Sequence, residues 1–197
     1  MALFDRSEAV LYLEHLLALF KPNFRPSIPD TYGVDPGDLH DWPDADLPVL
    51  IEEGRRKLDA LDERHEQIRS RGQTLFTVML GFLAVAVGTR FLSTVADSTV
   101  AFVVWYAGLA IGAVGLLGAA AVFATTAEMG AIDTVLLSRE DPAAGITRSL
   151  AQGYPKAVKK SMLSVMARFT VLRDATWFSI LGAVLVTGAW VWLRVAG

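Results

Sequence analysis

Residues 57–88 read KLDALDERHEQIRSRGQTLFTVMLGFLAVAVG. The stretch begins as a charge-laced helix and ends in an uncharged apolar run, with no proline or turn between the halves. Stepping alternately by three and four from Ile51 gives Gly54, Leu58, Leu61, His65, Ile68, Gly72, Leu75, Met79, Phe82 and Ala86. This is one heptad phase. It crosses from the charged half into the apolar half without slipping. A single helix is therefore expected, with Asp46 as N-cap and Pro48 in its first turn. Over 47–93 it would be about 70 Å long at roughly 1.5 Å per residue. Its lower part would form a stalk in water and its upper part would cross a membrane. His65, Ile68 and Gly72 stand where the two parts meet and are the candidate gating seam.

Two more apolar runs support a membrane reading. Residues 73–89, 98–127 and 175–193 carry no charge, over 17, 30 and 19 residues. About 20 apolar residues cross the hydrocarbon of a bilayer. Spans are thus expected at about 74–95, 100–124 and 175–194. The fold class expected is an all-α membrane protein with three transmembrane helices, two of them extended into a cytosolic helical stalk. An N-terminal amphipathic helix and a Pro/Asp-rich linker precede them. The chain divides into a cytosolic helix and linker (1–46), a stalk helix (47–73), a transmembrane hairpin (74–126), a cytosolic helical region (127–173) and a third span (174–197).

Charge sets the expected orientation. Of 18 Lys and Arg, nine lie in 1–73 and seven in 127–173. By the positive-inside rule both segments are cytoplasmic and the C-terminus is outside, in a bacterial inner membrane. A secretory signal peptide is not expected, because Asp5, Arg6, Glu8 and Glu14 interrupt the first residues. Residues 1–73 are net acidic, with 15 Asp and Glu, while 127–173 are net basic. Arg148, Lys156, Lys159 and Lys160 form a candidate site for an anionic ligand such as a nucleotide or oligonucleotide.

The last helix, read after a break at Gly153-Tyr154-Pro155, has a second heptad phase: Val158, Met162, Val165, Phe169, Leu172, Thr176, Ser179, Ala183, Val186 and Trp190. In the middle span Gly108, Gly112, Gly115 and Ala119 make a stripe of small residues. Lipid supplies no hydrophobic force between helices, so close approach at small residues drives their association. The stripe is expected to face either a helix of the same chain or a neighbouring subunit. The N-terminal helix, expected over about 7–20 with Ser7 as cap, presents Val10, Leu13, Leu16, Leu17 and Phe20 on one face. It is expected to fold over the stalk as a lid or to dock a partner protein. Its Asp and Glu content speaks against the membrane surface.

Enzymatic chemistry is not expected. There is no cysteine, and His15, His40 and His65 stand in no metal-binding spacing. The Asp-rich stretch 30–46 fails the EF-hand pattern. No catalytic residue, metal site or cofactor is assigned. Any aqueous path would need several copies of three spans, so a homo-oligomer in the lipid bilayer is expected.

The stretches LDERHEQIRSRGQTLFTVMLGFLA and AQGYPKAVKKSMLSVMARF carry a resemblance. The layout resembles the small membrane effectors of bacterial anti-phage signalling systems, of the Pycsar, SLATT and Hailong types. It covers about residues 47–195 and leaves the N-terminal helix unmatched. It implies an oligomeric channel or pore-forming effector, gated through its cytosolic stalk by a nucleotide signal or a partner protein. The contrasting expectation is a non-conducting anchor that docks a cytosolic partner.

Overall fold

The structure is a computed structural model and describes residues 6–21, 24, 43–92, 99–125, 130 and 146–195. Among them are four helices and no strand: α1 (Arg6–Phe20), α2 (Leu47–Leu92), α3 (Thr99–Ala124) and α4 (Ile146–Val195). Three of these, α2, α3 and α4, are long and apolar enough to cross a membrane. The Asp-rich loop with Asp38, His40 and Asp41, and the stretch EMGAIDTVLL except Gly130, lie outside the described residues.

The helices begin and end for local reasons. The Asp46 carbonyl accepts the first bonds of α2, from the amides of Val49 and Leu50, at 3.2 and 3.3 Å. That puts Asp46 in the N-cap position. α4 differs from the sequence expectation. It starts at Ile146 and runs through Pro155 without a break, for 50 residues. Proline removes one backbone donor and crowds the carbonyl four residues before it. Here that carbonyl belongs to Ala151, which is fully buried against Leu47, Leu50 and Ile51. Burial of Ala151 before the proline and of Ala157 after it holds the helix together.

The chain divides into two compact units, and α2 and α4 each pass through both. The first unit comprises Met1–Ser27, Ile68–Thr125 and Arg168–Gly197. Its three long helices pack on small residues. A Cβ added to Gly182 would stand 2.6 Å from the backbone nitrogen of Gly112. One added to Gly108 would meet the Val186 nitrogen at 2.9 Å, and one on Gly115 would meet Ser179. Only glycine lets the backbones come this close. Ala119 is fully buried, and its carbonyl faces Gly72. At the far end Ala86, Trp105, Val186 and Ala189 close the core.

The seam of α4 is not the one its large apolar residues suggest. Phe169 and Trp190 are exposed. The buried series is Ser161, Val165, Arg168, Leu172, Ala175, Ser179, Gly182, Val186 and Ala189. It keeps the heptad step and shares Val165, Leu172, Ser179 and Val186 with the expected phase. The alternate positions fall one residue earlier, on small or polar side chains. In lipid a large apolar residue gains nothing by turning inward, so close packing selects the small ones.

The second unit comprises Ile28–Gln67 and Thr126–Ala167. Here the first turns of α2 pack on the first turns of α4. Leu47 is almost wholly buried against Ala151, and Gly54 takes the ring of Tyr154, whose Cβ lies 2.7 Å from where a Gly54 Cβ would be. Ser161 Oγ accepts a hydrogen bond from the Gly130 amide at 2.9 Å.

Candidate functional site

In the second unit, α2 and α4 leave a groove of about 400 Å³ between them. Its floor is apolar: Leu50, Tyr154, Pro155, Val158, Met162 and Leu163. Glu53, Lys57 and Lys159 supply the only charges of the lining. The groove exists because two small or rigid residues hold the helices in a fixed relation. Gly54 lets the Tyr154 side chain come against α2, and Pro155 sits beside it. The volume lies within the range of small-molecule sites. Lys57 and Glu53 pair at 3.7 Å across one turn. An apolar body with one anionic end matches this lining better than a polyanion does.

Of the four basic residues picked out by sequence, Lys156, Lys159 and Lys160 lie within about one turn of α4, at steps of three and four, and Arg148 lies two turns earlier. Lys159 lines the groove. Lys156 and Lys160 are exposed on α4 and do not line it. Arg148 Nη2 donates to Asp44 Oδ1 at 2.6 Å, which ties the start of α4 to the turn before α2. Of the gating seam, His65 and Ile68 are buried, at 8% and 7% exposure, and Gly72 faces Val122 at 3.0 Å. Within α2 the buried positions after Leu47 are Gly54, His65, Ile68, Gly72, Met79 and Ala86, all of them members of the seam.

The first unit holds a polar node that sequence reasoning did not single out. Arg168 is 3% exposed. Its guanidinium donates to the Val122 carbonyl at 3.0 Å and to the Thr125 carbonyl at 2.6 Å. Thr125 Oγ1 in turn donates to the Ala121 carbonyl at 2.6 Å. These are the orphan carbonyls of the α3 C-terminus, where the helix dipole also favours a cation. Burial, with Arg69 adding repulsion, pushes the Arg168 pKa down to about 10, so it stays charged at neutral pH. Nearby, Arg173 donates to Glu8 Oε2 at 2.9 Å and to Asp174 Oδ1 at 3.0 Å. The hydrogen bonds that Arg173 donates to Glu8 and Asp174 hold its pKa above the usual value. The other oxygen of buried Asp174 finds no hydrogen-bond partner among the described residues. The sequence signal was present in part: an arginine that falls on the small-residue phase of a span-forming helix is expensive unless it has backbone partners.

α1 belongs to the same unit. Tyr12 donates its hydroxyl proton to the Val114 carbonyl at 2.9 Å, and its ring meets Phe178 edge-on at 5.4 Å. Gly118 is the residue that makes room for that ring. α1 therefore packs on α3 within the first unit. Its buried face differs from the expected one: Leu11, Tyr12, His15 and Ala18 turn inward, while Val10, Leu13, Leu17 and Phe20 are exposed.

No protein-family model, curated protein or solved structure matches the chain. Among the described residues no group of three or more His, Cys, Asp and Glu is placed to hold a metal ion.

Proposed function

We propose that the chain is one subunit of a homo-oligomeric membrane channel whose path forms between subunits. The observation that carries the reading is the outward face of α2. Thr74, Thr77, Gly81, Ala84 and Gly88 follow one another at steps of three and four, and all are exposed. A Cβ at Gly81 or Gly88 would meet nothing within 4 Å. The other exposed positions of this span include the larger Val78, Leu80, Val85 and Val87. A shallow furrow of small residues in a span is filled by a second helix better than by lipid. Within one chain the backbones of α3 and α4 approach too closely at Gly112 and Gly182 to leave a path between them.

The gate is assigned to the groove beside Lys57 and Lys159, because α2 and α4, which line it, are the same helices that continue as spans. The orientation favoured by the Lys and Arg distribution, in a bacterial inner membrane, places the groove in the cytoplasm. A partner protein, or a cytosolic ligand with an apolar body and one anionic end in place of the expected polyanionic nucleotide, would then act there, and the anti-phage role implied by the resemblance goes with this reading.

One observation favours the non-conducting anchor. The hydroxyls of Thr74 and Thr77 donate to the carbonyls of Ser70 and Gln73 at 3.0 Å each, so their protons are already used and none is left for a permeating anion. The chain has no cysteine, which makes the test simple. Gly81→Cys and Gly88→Cys variants are oxidised in membranes, and the same protein is recorded in planar bilayers with and without nucleotides. Cross-linked subunits with discrete current steps support the channel. Cross-linking with silence moves the reading to the anchor, and an absence of cross-links removes the α2 interface. Plating phage on cells with and without the protein tests the defence role.

A further inference from the structure

α1 is inverted for a helix in water. Among its described side chains, the exposed positions are Ala9, Val10, Leu13, Leu17 and Phe20. Of its polar side chains, Glu8 turns to Arg173, Tyr12 to the Val114 carbonyl and His15 into the buried face, while Glu14 is half-buried. Phe20 is 70% exposed, Leu13 57% and Val10 52%. A soluble protein gains by burying such side chains, and seldom exposes so many large ones on one short helix.

The depth of the Tyr12 anchor names the solvent. α3 has 26 residues, about 39 Å at roughly 1.5 Å per residue. The hydrocarbon of a bilayer is about 30 Å thick, so about 9 Å of α3 overhangs in total. Val114 lies about 15 Å from the Ala124 end at the same rise. Even with all of the overhang on that side, the Val114 carbonyl lies inside the hydrocarbon boundary. The hydroxyl bonded to it lies there too, and it ties α1 to that depth through the length of one tyrosine side chain. The 15 residues of α1 reach only about 22 Å, too short to span.

We propose that α1 is a membrane-embedded, non-spanning helix whose outward face, Val10, Leu13, Leu17 and Phe20, lies among lipid acyl chains. Of the acidic residues that spoke against a membrane position, Glu8 is matched by Arg173 and Glu14 is half-buried. The proposal rests on α3 being a span and is independent of conduction.

Single-cysteine variants of the full chain test it. Nitroxide labels at Leu13→Cys and Leu17→Cys are compared in liposomes with Asp59→Cys, on the charged face of α2, and Val184→Cys, on the exposed face of α4. Collision rates with oxygen and with a water-soluble nickel chelate are measured. Labels on α1 should prefer oxygen several-fold more than the Asp59 label, as the Val184 label does. Behaviour like the Asp59 label overturns the proposal in favour of water. Shielding from both reagents overturns it in favour of a protein cover, such as a second copy. A lipid-soluble carbene probe applied to the unsubstituted protein gives a second measurement. It should label the peptide containing residues 10–20, and failure to do so while the spans are labelled also overturns the proposal.

Discussion

α1 and the first turns of α2 draw on similar residues and turn them opposite ways. Along 52–67 of α2, the exposed positions carry Glu52, Glu53, Arg55, Arg56, Lys57, Asp59 and Asp62, while Gly54 and His65 are buried and Leu58 and Leu61 half-buried. Glu52 pairs with Arg55 at 3.1 Å and Glu53 with Lys57 at 3.7 Å, one turn apart on the open surface. In α1 Val10, Leu13, Leu17 and Phe20 are outside, Leu11 and Ala18 turn inward, and Glu8 is matched within the protein. The same amphipathic periodicity thus has two solutions, and the solvent chooses between them. Water takes the charged face, and lipid takes the large apolar face and leaves polar groups to find partners inside.

The contrast breaks hardest where a polar group is fully enclosed. Arg168→Ala removes two bonds to the α3 terminus and leaves the Val122 and Thr125 carbonyls short of partners. Loss of about 3 kcal/mol is expected for hydrogen bonds from a buried charge, read as a lower Tm in detergent. An Arg168→Ala protein as stable as the parent would show that α3 needs no cap. Next comes polarity reversal on the two open faces. Leu13→Glu should loosen α1 in liposomes by about 1–2 kcal/mol, below the roughly 2.5–3.5 kcal/mol at a bilayer centre. Amide exchange of α1 reads that effect. Asp62→Leu on α2 should change Tm little, within the roughly 0.5 kcal/mol usual for surface substitutions.

Acid should act through His15. Burial lowers its pKa below the ordinary 6.5, and Arg168 adds to this against the opposing Leu11 carbonyl and Glu14. The ring accordingly takes up a proton more readily when α1 is released. Its contribution to docking is complete above about pH 6.5 and is lost as pH falls below that value. Amide exchange in α1, corrected for intrinsic rates, should rise between pH 7.5 and 5 in the parent and flatten in His15→Phe. The smallest effect belongs to the exposed pair on α2. Glu52→Gln should leave Tm unchanged within error, since such pairs contribute little in water. A clear drop would mean that this face is covered.

How much was legible follows the same division. The three uncharged runs, the continuity of α2 through 57–88 and the small stripe of α3 could be read directly, because each rests on length or residue size alone. The groove residues Tyr154 and Pro155 were visible only as a break, since a proline inside a helix is tolerated when its neighbours are packed, as Ala151 is against Leu47. The α4 seam was read on its large residues, and Phe169 and Trp190 turned out to be exposed. Hydrophobic periodicity reports that a helix has two faces. It does not report which face meets the protein.

The sequence by itself determined that the chain is helical, that three helices are long and apolar enough to cross a membrane, and where glycine permits close approach. These depend on composition along the chain, and no partner helix is needed to decide them. Only the tertiary structure decided that Arg168 closes the end of α3, that Glu8 is matched by Arg173, and that Tyr12 docks α1 at Val114. Each of these joins residues more than 40 positions apart, through single hydrogen bonds or ion pairs whose geometry leaves no periodic trace. A buried charge is stable only where such a partner stands, and the chain brings the partner there by folding.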